Sequence, residues 1–233
     1  MSAPPGKIET ALFAVGFAMS GLVLLALLWS GVGPYMDMAH ANGVTGAAFY
    51  DHAARTNSVQ LSLDALAEQH RAWSTYITGG AADPPDVGTL YASDEISHMA
   101  DVRRVLDGAK LLIPAGLFVM AIRLQRARSQ SVEAMLRLVR DGAVAAGIGV
   151  AVVGLVAALA FDQAFLLFHE VFFPQGNFLF DPATSNLVRL YPDWYWQGIT
   201  FRIGLSLIAV AATVALAAGL GLRRARSTRL ASA

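Results

Sequence analysis

The chain has 233 residues and no net formal charge, with 55% of them hydrophobic and only 15% charged. An average soluble domain carries about a quarter charged residues, so the balance points to a membrane rather than to water, and a neutral chain has no global field to gather nucleic acid. There is no cysteine, which excludes a thiol nucleophile, a disulfide framework and a Cys-ligated zinc site.

In chain order, residues 11–32 are uncharged and long enough to cross a hydrocarbon core of about 30 Å. The "AHA" at Ala39–Ala41 looks like a cleavage site, but it lies too far beyond the apolar run, so an uncleaved anchor is expected. Further spans are expected at about 108–124, 142–163 and 199–222. The second is the weakest by composition, and charge placement decides for it. Five Arg (123, 126, 128, 137, 140) follow it, and four more (223, 224, 226, 229) follow the last span. Arg-rich flanks stay in the cytoplasm, and both clusters can do so only if a span precedes Arg123.

The fold expected is therefore an all-α membrane protein, a single integral membrane domain with four transmembrane helices and both termini cytoplasmic in the bacterial cell membrane. Residues 125–141 form an inner connector. Residues 33–107 form a mostly helical extracytoplasmic segment, and 164–198 an aromatic-rich outer loop.

Within the first outer segment, residues 42–60 read equally as short strands or irregular loop. Leu61, Leu63, Leu66, His70, Trp73, Tyr76 and Ile77 recur at helical spacing until Gly79–Gly80. "ADPPD" (82–86) is a turn, because Pro84 and Pro85 cannot continue a helix. Ser93 then opens a helix through "DEISHMADVRRVL", with acids in its first turn and Arg in its last. Glu95, His98 and Asp101 fall on one face of it at i, i+3 and i+6. An Asp beside an imidazole can fix its tautomer and stabilise its protonated form, as a general base requires.

The segment "FHEVFFPQGNFLFDP" (168–182) has seven large apolar residues among its fifteen, yet it holds His169, Glu170 and Asp181. An aromatic belt at the membrane boundary explains the rings but not these three groups. His40, His52 and His70 have no informative neighbours and read as surface or packing residues. HExxH, GxSxG and Gly-rich phosphate-loop motifs are missing, which leaves metalloprotease, serine hydrolase and nucleotide-binding classes without support. A metal site built from Glu95, His98, Asp101 and His169 stays open at this level, though no metal or other cofactor is expected.

Two phrases, "EISHMADVRRV" and "FHEVFFPQGNFLFDPATSNLVRLYPDWYW", resemble the lipoprotein intramolecular transacylase (Lit) family of bacteria. Ser185 stands where that family usually carries an acid. The resemblance implies an acyltransferase acting on diacylglyceryl-modified lipoproteins among membrane lipid, with no nucleic-acid partner. It implies transfer of the sn-2 acyl chain from glycerol to the α-amine of the N-terminal cysteine, giving lyso-form lipoprotein. Catalysis is then expected from His98 and His169, with Asp101 orienting His98. Substrate contacts are expected from Arg103, Lys110, Glu170, Phe172, Phe178 and Asp181. Two other readings stand beside it: a non-enzymatic envelope protein that binds a partner, and a metal-dependent membrane lipid hydrolase.

Overall fold

The computed structural model describes residues 6–85 and 90–231; Asp86, the last residue of the expected turn, lies outside them. Among the described residues, four helices are long and apolar enough to cross a membrane: Lys7–Trp29, Ser93–Gln130, Val132–Leu159 and Asp193–Ala225.

 Contacts divide the chain into two compact units, one of Met1–Leu25, Lys110–Val156 and Arg202–Ala233, the other of Ala26–Ala109 and Ala157–Phe201.

The first unit is built from the apolar parts of α1 (Lys7–Trp29), α5 (Leu112–Gln130), α6 (Val132–Leu159) and α9 (Asp193–Ala231). Small residues let α1 and α5 approach closely. A Cβ built on Gly116 would stand 2.6 Å from the Gly16 carbonyl oxygen, and one on Gly16 would stand 2.9 Å from the Gly116 oxygen. Beside this crossing the Ser20 hydroxyl donates to the Leu112 and Ile113 carbonyls, each at 3.3 Å. Close backbone approach with hydroxyl bonding is how helices pack where lipid removes the hydrophobic drive between them. Phe13, Ala127 and Leu138 form a buried cluster nearby. Glu9 pairs with Arg123 at 3.1 Å and Arg126 at 3.6 Å. Large apolar side chains such as Ile148, Val152 and Leu216 stay exposed, as lipid-facing residues would.

The second unit holds α2 (Val32–Ala41), a hairpin of β1 (Gly46–Asp51) and β2 (Thr56–Ser62), α3 (Leu63–Ile77), α4 (Ser93–Lys110), α7 (Phe161–Phe172) and α8 (Asn186–Leu190). Residues 42–60, which the sequence left open, thus resolve largely into an antiparallel pair with Phe49 opposite Val59. The turn is set by Asp51, whose Oδ1 accepts from the amides of Ala53 and Ala54 at 2.9 Å each, and by Arg55 at φ 57. The free edge of β1 is covered by side chains. Asn186 is fully buried; its Oδ1 accepts from the Tyr50 amide at 2.7 Å and its Nδ2 donates to the Tyr50 carbonyl at 2.9 Å. Arg189 donates to the Ala48 carbonyl at 2.7 Å. Together they satisfy backbone groups that an open edge would leave unpaired.

One detail differs from the sequence reading, and of the surface and packing roles left open for His70 the structure shows packing. The helix expected to run through 163 breaks at Ala160, which leaves helical geometry at φ −140, ψ 54, before α7 begins; no proline or glycine marks the break. His70 is not a bland surface residue. It is buried against Tyr35, with ring centroids 4.4 Å apart, and its Nε2 lies 3.1 Å from the Ser30 carbonyl.

Candidate active site

Helix α4 begins with a side-chain tie. The Ala92 amide donates to Glu95 Oε2 at 2.8 Å, so Glu95 reaches back over the first turn as the acid of a capping box does. Its other oxygen accepts from the Ser185 hydroxyl at 2.6 Å and the Leu187 amide at 2.8 Å. Glu95, 1% exposed, is thereby committed to joining α4 to the start of α8. One turn further, His98 and Asp101 are 7% exposed on the same face. They precede the apolar stretch of the helix, which starts after Lys110.

His169, 8% exposed, is the buried residue of α7. Its ring lies 6.0 Å from that of His98, nearly parallel at 20°. The sequence placed these residues 71 positions apart (169 − 98), and the fold brings them face to face among aromatic rings. Phe173 packs 4.8 Å and Phe180 5.5 Å from His98. Phe165 stands 4.2 Å and Phe178 5.2 Å from His169.

The tautomer of His169 follows from its partner. His169 Nδ1 lies 2.8 Å from the Phe165 carbonyl oxygen, which can only accept, so Nδ1 carries the hydrogen and Nε2 keeps its lone pair. Asn177 favours the protonated form of the His98 ring. The Nδ1 of that ring is buried without a hydrogen-bond partner. Burial lowers the pKa of His98 to about 4, helped by the neighbouring His169 and opposed by Asn177 and Asp101. Burial lowers His169 too, against the Phe165 bond. Burial thus favours the neutral form of both rings, and a neutral imidazole keeps one ring lone pair.

Asp101 does not meet His98 directly. Its Oδ2 accepts from Gln175 at 2.5 Å and from Asn177 at 2.7 Å, and Arg104 occupies Oδ1. Arg103 points elsewhere, donating to the carbonyls of Ala81 at 2.8 Å and Ala82 at 3.1 Å and lying over the Tyr76 ring. Lys110 belongs to the other unit. Glu170 is exposed, and Phe172 packs against Phe168 with ring centroids 4.7 Å apart. Asp181 shapes the turn into α8 by accepting from the Ala183 amide at 2.9 Å. With His52, Asp94, Glu95, Phe180 and Ser185 it also lines a cavity of about 270 Å³. Among the described residues no three His, Asp or Glu side chains converge as metal ligands.

Sequence reasoning missed Gln175 and Asn177. The available signal was the pair of amides in "PQGN", set between aromatic residues on either side.

No curated protein matches the chain in sequence. The fold is that of solved structures of the membrane-integral lipoprotein intramolecular transacylase Lit from Bacillus cereus. One matches with TM-score 0.67 at 16% identity, covering 95% of this chain and 97% of that one. A histidine-to-arginine variant matches with TM-score 0.68 at 14% identity, covering 95% and 94%. The family model described as lipoprotein intramolecular transacylase Lit matches residues 38–196, a stretch that contains both imidazoles and every group around them. Since that match covers well over half of the sequence, the chain belongs to the lipoprotein intramolecular transacylase (Lit) family.

Proposed function

We propose that this protein transfers the sn-2 acyl chain of a lipoprotein's diacylglyceryl group to the α-amine of its N-terminal cysteine. The observation that carries the reading is the pair of buried imidazoles stacked 6.0 Å apart, His98 with its Nδ1 unpartnered and His169 with its Nδ1 engaged by the Phe165 carbonyl. Proton bookkeeping explains why two are useful. The α-amine enters largely as an ammonium, since its ordinary pKa is about 7.7–8.0. It must lose one proton to become a nucleophile and a second after it attacks the ester carbonyl. One of these returns to the glycerol oxygen as the C–O bond breaks, and the other leaves as product acid.

In this scheme His169 takes the first proton through Nε2. His98 takes the second through Nδ1 and delivers it to the glycerol oxygen. The support for His98 in the second role is the Asp101 carboxylate, which stands behind Asn177 and favours the imidazolium. As imidazolium, His98 also offers positive charge to the tetrahedral oxyanion. The surrounding rings exclude water, which suits transfer over hydrolysis, and donor and acceptor in one molecule leave orientation as the main task. Glu170, Phe172, Phe178 and Asp181 are assigned to the lipid and peptide around the reacting atoms. Arg103, held on the 81–82 carbonyls, is better suited to fixing the loop before α4 than to the oxyanion.

The test is to express the protein in a bacterium that makes diacylated lipoproteins and weigh their N-terminal peptides. Conserved mass with one chain moved onto nitrogen supports transfer. Loss of one acyl mass indicates hydrolysis and overturns it.

A further inference from the structure

Asp101 is 7% exposed, and its carboxylate is engaged by groups other than His98. Arg104 occupies Oδ1, while Oδ2 accepts from the side-chain amides of Gln175 at 2.5 Å and Asn177 at 2.7 Å. Both amides come from the loop that follows α7. Gly176 separates them at φ 78, and its amide closes a turn onto the Phe173 carbonyl at 3.0 Å. A Cβ at Gly176 would meet nothing, so it is the left-handed backbone that asks for glycine. The turn lets residues 175 and 177 present their amides to one carboxylate, and Gln175 also donates to Asn177 Oδ1 at 3.2 Å. Among the described residues, the side-chain hydrogen bonds from 174–180 to the rest of the protein all end on Asp101.

The same loop carries rings that cover the two imidazoles. Phe173 lies 4.8 Å from His98 and 5.5 Å from His169, Phe178 lies 5.2 Å from His169, and Phe180 lies 5.5 Å from His98. Phe173 precedes the amide pair, and the other two follow it. Apolar contact is non-directional and does not by itself fix where a loop sits. Hydrogen bonds to an anion do, at roughly twice the strength of neutral ones.

We propose that Asp101 is a positioning residue acting through this loop: by way of Gln175 and Asn177 it clamps residues 173–180 over His98 and His169, and the closed loop commits the site to transfer rather than hydrolysis. The proposal rests on the transacylase reading above. With the loop raised, water competes with the α-amine. Its oxygen bonds to the acyl carbon and the ester C–O bond breaks. One water proton then reaches the glycerol oxygen through the imidazoles, and the chain leaves as a fatty acid.

Diethyl pyrocarbonate, which modifies neutral imidazoles, reports the loop without any reaction of a lipoprotein. Peptide mass spectrometry reads each histidine in the full-length protein in detergent. In the wild type His98 and His169 should react slowly and exposed His40 fast. Asp101→Asn and Gln175→Ala should each speed His98 and His169 on the order of tenfold, as loss of a hydrogen bond to a charge allows. His70, buried elsewhere at 2% exposure, should stay protected, which shows that the rest of the fold is intact. On a diacylglyceryl lipopeptide the hydrolysed share of the products should rise by a similar factor, and the amount of folded protein does not move that ratio. Asp101→Glu should restore part of both. Unchanged reactivity of the two site histidines overturns the clamp; if Asp101→Asn loses His70 protection, Gln175→Ala, at an exposed side chain, decides alone. Faster reactivity with clean transfer overturns the claim that the loop selects transfer. A wild type that itself only hydrolyses counts against the transacylase reading, and the modification rates still decide the clamp.

Discussion

His98→Ala and His169→Ala each remove one of two lone pairs from the same pocket. Each should lower lyso-form production by ~10²–10⁴-fold, the range for a lost acid or base, with little change in thermal stability. The measurement is the ratio of N-acylated to diacylglyceryl N-terminal peptides at matched expression. His40, exposed at the end of α2, serves as a control. His70 does not, because it is a buried structural ring whose pKa burial lowers to about 4 from 6.5. Its neutral form is the folded one, so its contribution to stability is complete above pH 6.5 and is lost as pH falls towards 4. Thermal unfolding of the wild type should weaken across that window, and His70→Gln should flatten the dependence. Equal slopes in the two proteins would show that His70 is not responsible.

Between elements, the contacts that matter are few and far apart in sequence. Asn186→Ala should uncouple α8 from the hairpin by leaving both polar groups of Tyr50 unpaired, at a cost of about 2–4 kcal/mol in unfolding free energy. Gly116→Val should cost about 1–3 kcal/mol by forcing α1 from α5; wild-type stability in either variant would show that the contact is dispensable. These contacts also explain what was legible in the sequence. The four apolar helices, the α4 face carrying His98 and Asp101, and an unexplained His169 among phenylalanines could all be read, because each is a local pattern. The hairpin could not. "GAAFYD" alternates too weakly, and its edge is completed by Asn186, a residue that reads locally as a turn former. Asn177 was hidden for the same reason: an amide beside glycine looks like a turn until the carboxylate it meets is known.

For the whole molecule, nine Arg in two segments predict that both termini and residues 125–141 face the cytoplasm. The chain has no cysteine, so single-cysteine labelling is clean. Gln130→Cys should resist an impermeant reagent in intact cells, and labelling there would invert the topology. The account's central claim is that His98 and His169 together move an acyl chain rather than release it. Its most direct test is mass spectrometry of lipoprotein N-terminal peptides from cells carrying the wild type, His98→Ala or His169→Ala. The account predicts peptides of unchanged mass with one chain on nitrogen in the wild type, and diacylglyceryl peptides with a free amine in both variants. Full conversion in both variants would contradict it.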